Sequence, residues 1–138
     1  MKKHSIIISI VMMIFVSLAW AKDVPDTQIV AYYFYTNVRC PSCHKIEQYT
    51  NEAIEQYFKE ALASGRLIFK PVNTDQKENR HFIKDYQLYT KSVVISMVNG
   101  GKEVKYKNLT EVWRYLRNKQ QFYDYINSET NKYLDEVK

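Results

Sequence analysis

The chain has 138 residues, 46% of them hydrophobic and 25% charged, which sets it as one ordinary globular domain and excludes disordered and fibrous classes. Three Gly and three Pro leave no room for a collagen-like or linker-rich architecture, and two Cys do not make a disulfide-dense mini-protein. Lys+Arg outnumber Asp+Glu by 20 to 15, giving +5, but the positives form no single block, so the expectation is no nucleic acid partner.

Lys2, Lys3 and His4 precede an apolar run from Ile6 to Leu18 that only Ser9 and Ser17 interrupt. Ala19-Trp20-Ala21 then places small residues at the two positions a signal peptidase reads. The pattern predicts a signal peptide over residues 1–21, export to the periplasm or as a secreted protein, and a mature domain over 22–138. The run falls short of the about 20 apolar residues that span a bilayer, so no stable membrane span is expected after cleavage; an uncleaved N-terminal anchor is the rival reading. No Cys follows the run, which excludes lipoprotein attachment. Losing Lys2 and Lys3 lowers the net charge from +5 to +3, and export puts both cysteines where disulfides persist.

In the mature region, Ile29 to Tyr35 is a continuous apolar and aromatic run, as for a strand buried on both faces. From Pro41 the period turns helical: Ile46, Tyr49, Ala53, Ile54, Tyr57, Phe58, Ala61 and Leu62 recur at three- and four-residue spacing up to a stop at Gly65. Leu67 to Val72 predicts a second strand, placed at an edge by Pro71. Phe82, Ile83 and Tyr86 mark a shorter helix, with Asp75 a candidate cap. Val93 to Val98 and Lys102 to Tyr106 predict two strands joined in a hairpin by Asn99-Gly100-Gly101. Thr110 to Leu134 closes the chain in helix, with a break expected near Asn118. Lys102, Lys105 and Lys107 are expected on a solvated hairpin edge. The order is β-α-β-α-β-β-α, an α/β class with a four-stranded mixed sheet flanked by helices, its first helix crossing between parallel strands.

Cys40-Pro41-Ser42-Cys43 ends the first strand's loop and opens the first helix. A helix start offers unpaired backbone N–H groups and about half a positive charge, both favouring a thiolate. Arg39 adds a formal cation. Thiols so placed fall from about 8.5 to between roughly 3.5 and 7.5. Cys40 is therefore expected exposed at the helix tip as the nucleophile, and Cys43 behind it as the resolving thiol, the two forming a redox disulfide.

At these residues the chain resembles the thioredoxin fold in its minimal form, lacking the extra N-terminal strand and helix. IVAYYFYTNVRCPSC, VNTDQ and YQLYTKSVVISMVNGGKEV carry the likeness. More narrowly it is similar to exported thioredoxin-like proteins of the ArsF family, labelled nitrophenyl compound nitroreductase subunits, through VRCPSCHKIE, DYQLYTKSVV and the KNLTEVW helix start. The resemblance implies thiol–disulfide exchange with a protein thiol or disulfide partner, including a membrane or periplasmic redox protein, and no dissociable cofactor. It also exposes two departures. Ser92 occupies the cis-proline position, where a cis bond before a non-proline costs about 2.5–4 kcal/mol, so a trans Lys91–Ser92 bond is expected with Ser92 facing Cys40. Phe34 occupies the place of a buried carboxylate, so proton transfer at Cys43 needs another group or water.

Rival readings attach to the same residues. Cys40 to His44 also reads as the C-x-x-C-H attachment pattern of c-type haem, with His44 proximal and Met97 or His81 distal. A zinc site would use Cys40, Cys43, His44 and His81. A purely structural disulfide would close too small a loop to restrain much of the unfolded chain. An accessory subunit of a redox or metal-handling system, binding without turnover, is the alternative of a different class. In the favoured reading His44 is a helix-surface residue that modulates the thiolate, Pro41 and Ser42 shape the helix start, and Trp113 belongs to the core.

Overall fold

The computed structural model describes residues 25–137, and the expected signal peptide over 1–21 lies outside them. Strand β1 (Thr27–Tyr35) is central, as its unbroken apolar run predicts. It pairs in parallel with β2 (Leu67–Asn73) and antiparallel with β3 (Ser92–Asn99), which pairs antiparallel with β4 (Lys102–Asn108), giving the order β2-β1-β3-β4. Pro71 indeed lies on an edge strand, where its missing N–H costs no ladder bond. Gly100 and Gly101 turn the hairpin with φ of +56° and +79°, a geometry that favours glycine at both positions. This mixed four-stranded sheet with flanking helices is the thioredoxin-like architecture.

Helix α1 (Pro41–Tyr57) buries Cys43, Ile46, Thr50, Ala53 and Ile54, one stripe at helical period. The single helix expected up to Gly65 is instead broken at Phe58, whose backbone (φ −126°, ψ 32°) leaves helical geometry before α2 (Lys59–Ala63). The departure sets Phe58 in the core, 6% exposed, while its N–H still reaches the Ile54 carbonyl. Helix α3 (His81–Asp85) is one short turn after a 3-10 segment (Lys77–Asn79). Arg80, not Asp75, precedes it, and no side chain caps it.

Helix α4 (Val112–Tyr115) and helix α5 (Lys119–Asp135) are separated as expected near Asn118, which caps α5 by accepting the Gln121 N–H at 3.1 Å. The main core lies between the sheet and α1 and α5: Ile29, Ala31 and Tyr33 of β1 and Val93, Ile95 and Met97 of β3 meet Ile46, Phe122 and Ile126. The opposite face carries a smaller aromatic cluster around Phe34, Val72, Tyr86 and Val94. The hairpin lysines are less free than expected, because Lys105 pairs with Glu136 and Lys107 with Glu129, both toward the C-terminal helix. Among the described residues, no helix is long and apolar enough to cross a membrane.

Candidate active site at the first helix start

Cys40 is the N-cap of α1, with extended backbone (φ −90°, ψ 164°), and Pro41 fills the first helical position, where no N–H is needed. The Cys40 sulfur accepts the Cys43 N–H at 3.1 Å, and the Cys40 carbonyl accepts the His44 N–H at 3.1 Å. The sulfur thus sits on the free donors of the helix start, where the dipole favours negative charge. Cys40 and Cys43 are joined as a disulfide with Cα atoms 5.0 Å apart. Cys40 is exposed and Cys43 is only 2% exposed, so the pair presents Cys40 to solvent. Pro41, Ser42 and His44 are exposed around it.

The loop into the helix is fastened from β2. Asn37 donates its N–H to the Asp75 carboxylate at 2.8 Å and accepts from the Asn73 amide at 2.7 Å, while the Thr36 hydroxyl bonds the Val38 carbonyl. Asp75 therefore holds the cysteine loop rather than a helix cap. The Asx cluster after the second strand was the available sequence signal, but its partner lies 38 residues away and spacing does not disclose it.

Beneath the disulfide, the buried Tyr33 hydroxyl donates to the Cys43 carbonyl at 2.6 Å. Burial raises the Tyr33 phenol above its ordinary value, against the opposing pull of Arg39. The Arg39 guanidinium lies 4.6 Å from the Tyr35 ring centroid and 5.6 Å from that of Tyr33, and pairs with Glu47. Its charge is shared with Glu47 and two aromatic faces, so it is not directed at the Cys40 sulfur alone.

Ser92 begins β3 opposite Phe34, at the same end of the sheet as the cysteine loop. It is buried, and its hydroxyl donates to the Thr90 carbonyl at 2.8 Å. No described peptide bond is cis, so Lys91–Ser92 is trans. Trp113 donates its indole N–H to the Lys91 carbonyl at 3.0 Å and is half-buried, so α4 anchors the segment leading into Ser92. That role was hidden in the sequence because an indole reads equally as core filling. The structure also leaves Val38 (80% exposed) and Tyr89 (94% exposed) as unpacked apolar surface in the loops before the first helix and before β3.

The haem and zinc sets are not assembled. Met97 pairs with Ile29 while Ser92 pairs with Phe34, which puts Met97 five residues, about 17 Å, down the strand from the cysteine end. His81 lies on α3 bonded to Asp85 at 2.7 Å. Among the described residues, no three His, Cys, Asp or Glu side chains are grouped to hold a metal ion.

No protein-family model matches the chain, and no curated protein sequence matches it. Solved structures do. The chain is similar to a cysteine variant of Entamoeba histolytica thioredoxin, with 18% identity and TM-score 0.41 over 73% of this chain and 81% of that one. It is also similar to the first two thioredoxin domains of Saccharomyces cerevisiae Eps1p, with 21% identity and TM-score 0.48 over 79% of this chain and 38% of that one. Fasciola hepatica thioredoxin gives 20% identity and TM-score 0.38 over 71% and 81%. The strand order and the cysteine pair at the first helix start, rather than these distant likenesses, make the fold thioredoxin-like.

Proposed function

We propose that this protein is a thiol–disulfide oxidoreductase that works outside the cytoplasm on a protein partner. The observation that carries the reading is the exposed Cys40 at a helix N-terminus, its sulfur bonded to that of a buried Cys43 one turn inside. In the reduced form the Cys40 thiolate attacks a partner disulfide. A mixed disulfide forms and one partner sulfur leaves as thiolate, to be protonated. The Cys43 thiolate then attacks the Cys40 sulfur, closing the intramolecular disulfide and releasing the second partner thiol. Two electrons and two protons pass to the partner; the reverse sequence oxidises a partner dithiol.

Arg39 and the helix start favour the Cys40 thiolate, Pro41 and Ser42 shape the turn, His44 flanks it, and Ser92 sets the opposing loop. Phe34 in place of a carboxylate and Ser92 in place of a cis-proline favour a dedicated partner over general protein reduction. The ArsF-like segments support the same specialised role, and the N-terminal Lys2–Ala21 pattern supports export to a periplasm or the cell exterior.

Cys40→Ser should abolish exchange with a protein disulfide, and Cys43→Ser should accumulate mixed disulfides that mass spectrometry identifies after non-reducing electrophoresis. Wild-type behaviour of both variants in cells would instead favour a non-catalytic accessory subunit.

A further inference from the structure

An open groove of about 600 Å³ runs from Ser42, between the two cysteines, to the corner where α4 meets α5. Four cations line it: Lys45 from α1, Arg114 from α4, Arg117 from the connection, and Lys119 from α5. No carboxylate is among its described lining residues. Two acids act on its walls, Glu111 on Arg114 at 2.6 Å and Glu52 on Lys119 at 2.8 Å. Lys45 and Arg117 have no ion-pair partner among the described residues. Tyr49 and Trp113 supply aromatic surface between these charges, and the Lys45 and Lys119 ammonium groups lie 6.0 and 5.2 Å from the Tyr49 ring centroid. A concave surface lined by one sign of charge focuses field and concentrates counter-charged ligands.

We propose that this groove binds an acidic segment of the partner polypeptide, with carboxylates a few residues from the cysteine that reacts with Cys40. The inference rests on the thiol–disulfide reading and adds the chemistry of the partner. Reach argues for a polypeptide. At about 1.5 Å per helical residue, Lys45 and Tyr49 lie about 8 and 14 Å along α1 from Cys40. An extended chain covers the same distances in two to four residues, at about 3.3 Å each. A segment tethered by a mixed disulfide at Cys40 therefore brings nearby Asp or Glu side chains to Lys45 and Arg117, while its apolar parts lie on Tyr49 and Trp113.

The test uses reduced full-length protein and three peptides, each a mixed disulfide with 2-mercaptoethanol, identical except for Glu, Ser or Lys flanking the cysteine. Exchange rates are measured at low ionic strength and in about 0.5 M salt, where charges are screened within a few ångströms. The acidic peptide should react at least about tenfold faster than the basic one at low ionic strength. That ratio should shrink in salt and fall toward one in Lys45→Gln/Arg117→Gln, but persist in Lys59→Gln/Lys70→Gln, whose lysines lie outside the groove. Taking the ratio cancels any general change in thiolate reactivity. Equal rates for all three peptides, or an unchanged ratio in Lys45→Gln/Arg117→Gln, would overturn the groove assignment and leave the redox reading standing. Failure of every peptide to exchange would remove both. Stronger protection of Cys40 from iodoacetamide by a single-stranded oligonucleotide than by the acidic peptide would assign the groove to nucleic acid and also overturn the proposal.

Discussion

The two faces of the sheet are built from alternate residues of the same strands and differ in what covers them. On one face Ile29, Ala31 and Tyr33 pack under two 17-residue helices, α1 and α5. On the other, among the described residues, the five-residue α3 is the helix over Tyr32, Phe34 and Val94, and an aromatic cluster of Tyr32, Phe34, Phe82 and Tyr86 takes the place of longer helical cover. The disulfide belongs to the first face through Tyr33 and the buried stripe of α1. Long helices give that face a rigid support for the sulfurs, while the thinly covered face depends on a few rings and hydroxyls. Its polar anchor is Glu103, which accepts from Tyr86 and Ser96.

Truncation separates the faces most strongly. Phe122→Ala, on the buried face of α5 and fully enclosed, should lower stability by about 3–5 kcal/mol in urea unfolding. Phe82→Ala, half-buried on α3, should cost less than half as much; equal losses would mean the two faces are supported alike. A smaller effect comes from single hydroxyls. Tyr33→Phe removes the bond to the Cys43 carbonyl and should cost about 1 kcal/mol with the fold intact by circular dichroism.

Titration extends the comparison to pH. Burial first, then Glu103, holds the Tyr86 phenol far above its ordinary value. The unfolded chain releases this proton near pH 10 and the folded one later, so the associated stability is complete below about pH 10 and fades above it. Tyr86→Phe should flatten that alkaline decline in a urea-midpoint series. The smallest effect is on the helical face. Hydrogen bonds from Lys119, then Tyr123 and Gln48, pull Glu52 down to about 2. Its stabilisation is present above the ordinary value of 4.5 and lost as pH falls toward 2. Solvent screening keeps it under about 1 kcal/mol, and Glu52→Gln should reduce the acid slope by no more than that.

The same contrast governs how far the sequence could be read. β1, the edge position of β2, the glycine hairpin and the Asn118 break each rest on a local signal: an apolar run, a proline, two glycines, a capping side chain. So does the cysteine pair, because a C-x-x-C after a strand and before a helical period fixes its own surroundings. What stayed hidden is non-local. Phe58 leaves the helix to fill the core, although its spacing continues the helical stripe. Asp75 serves Asn37, Trp113 serves Lys91, and Arg39 turns to Glu47 and two tyrosines; none of these pairings has a periodicity. The cationic groove is likewise assembled from α1 and the α4–α5 corner, some seventy residues apart, so scattered positives in the sequence converge only once the chain has folded.

Gly65 lies where the described chain enters the fold. Its positive φ ends the crossover helix, its carbonyl takes the Gln28 amide, and Pro25 would lie 3.8 Å from a β-carbon there. Asp26 meets the Gly100 hairpin turn at the same end. From this pole β1 runs nine residues, about 30 Å, before the chain reaches the sulfurs. Any tether fixed ahead of Pro25 would therefore hold the molecule at the end of β1 opposite the sulfurs.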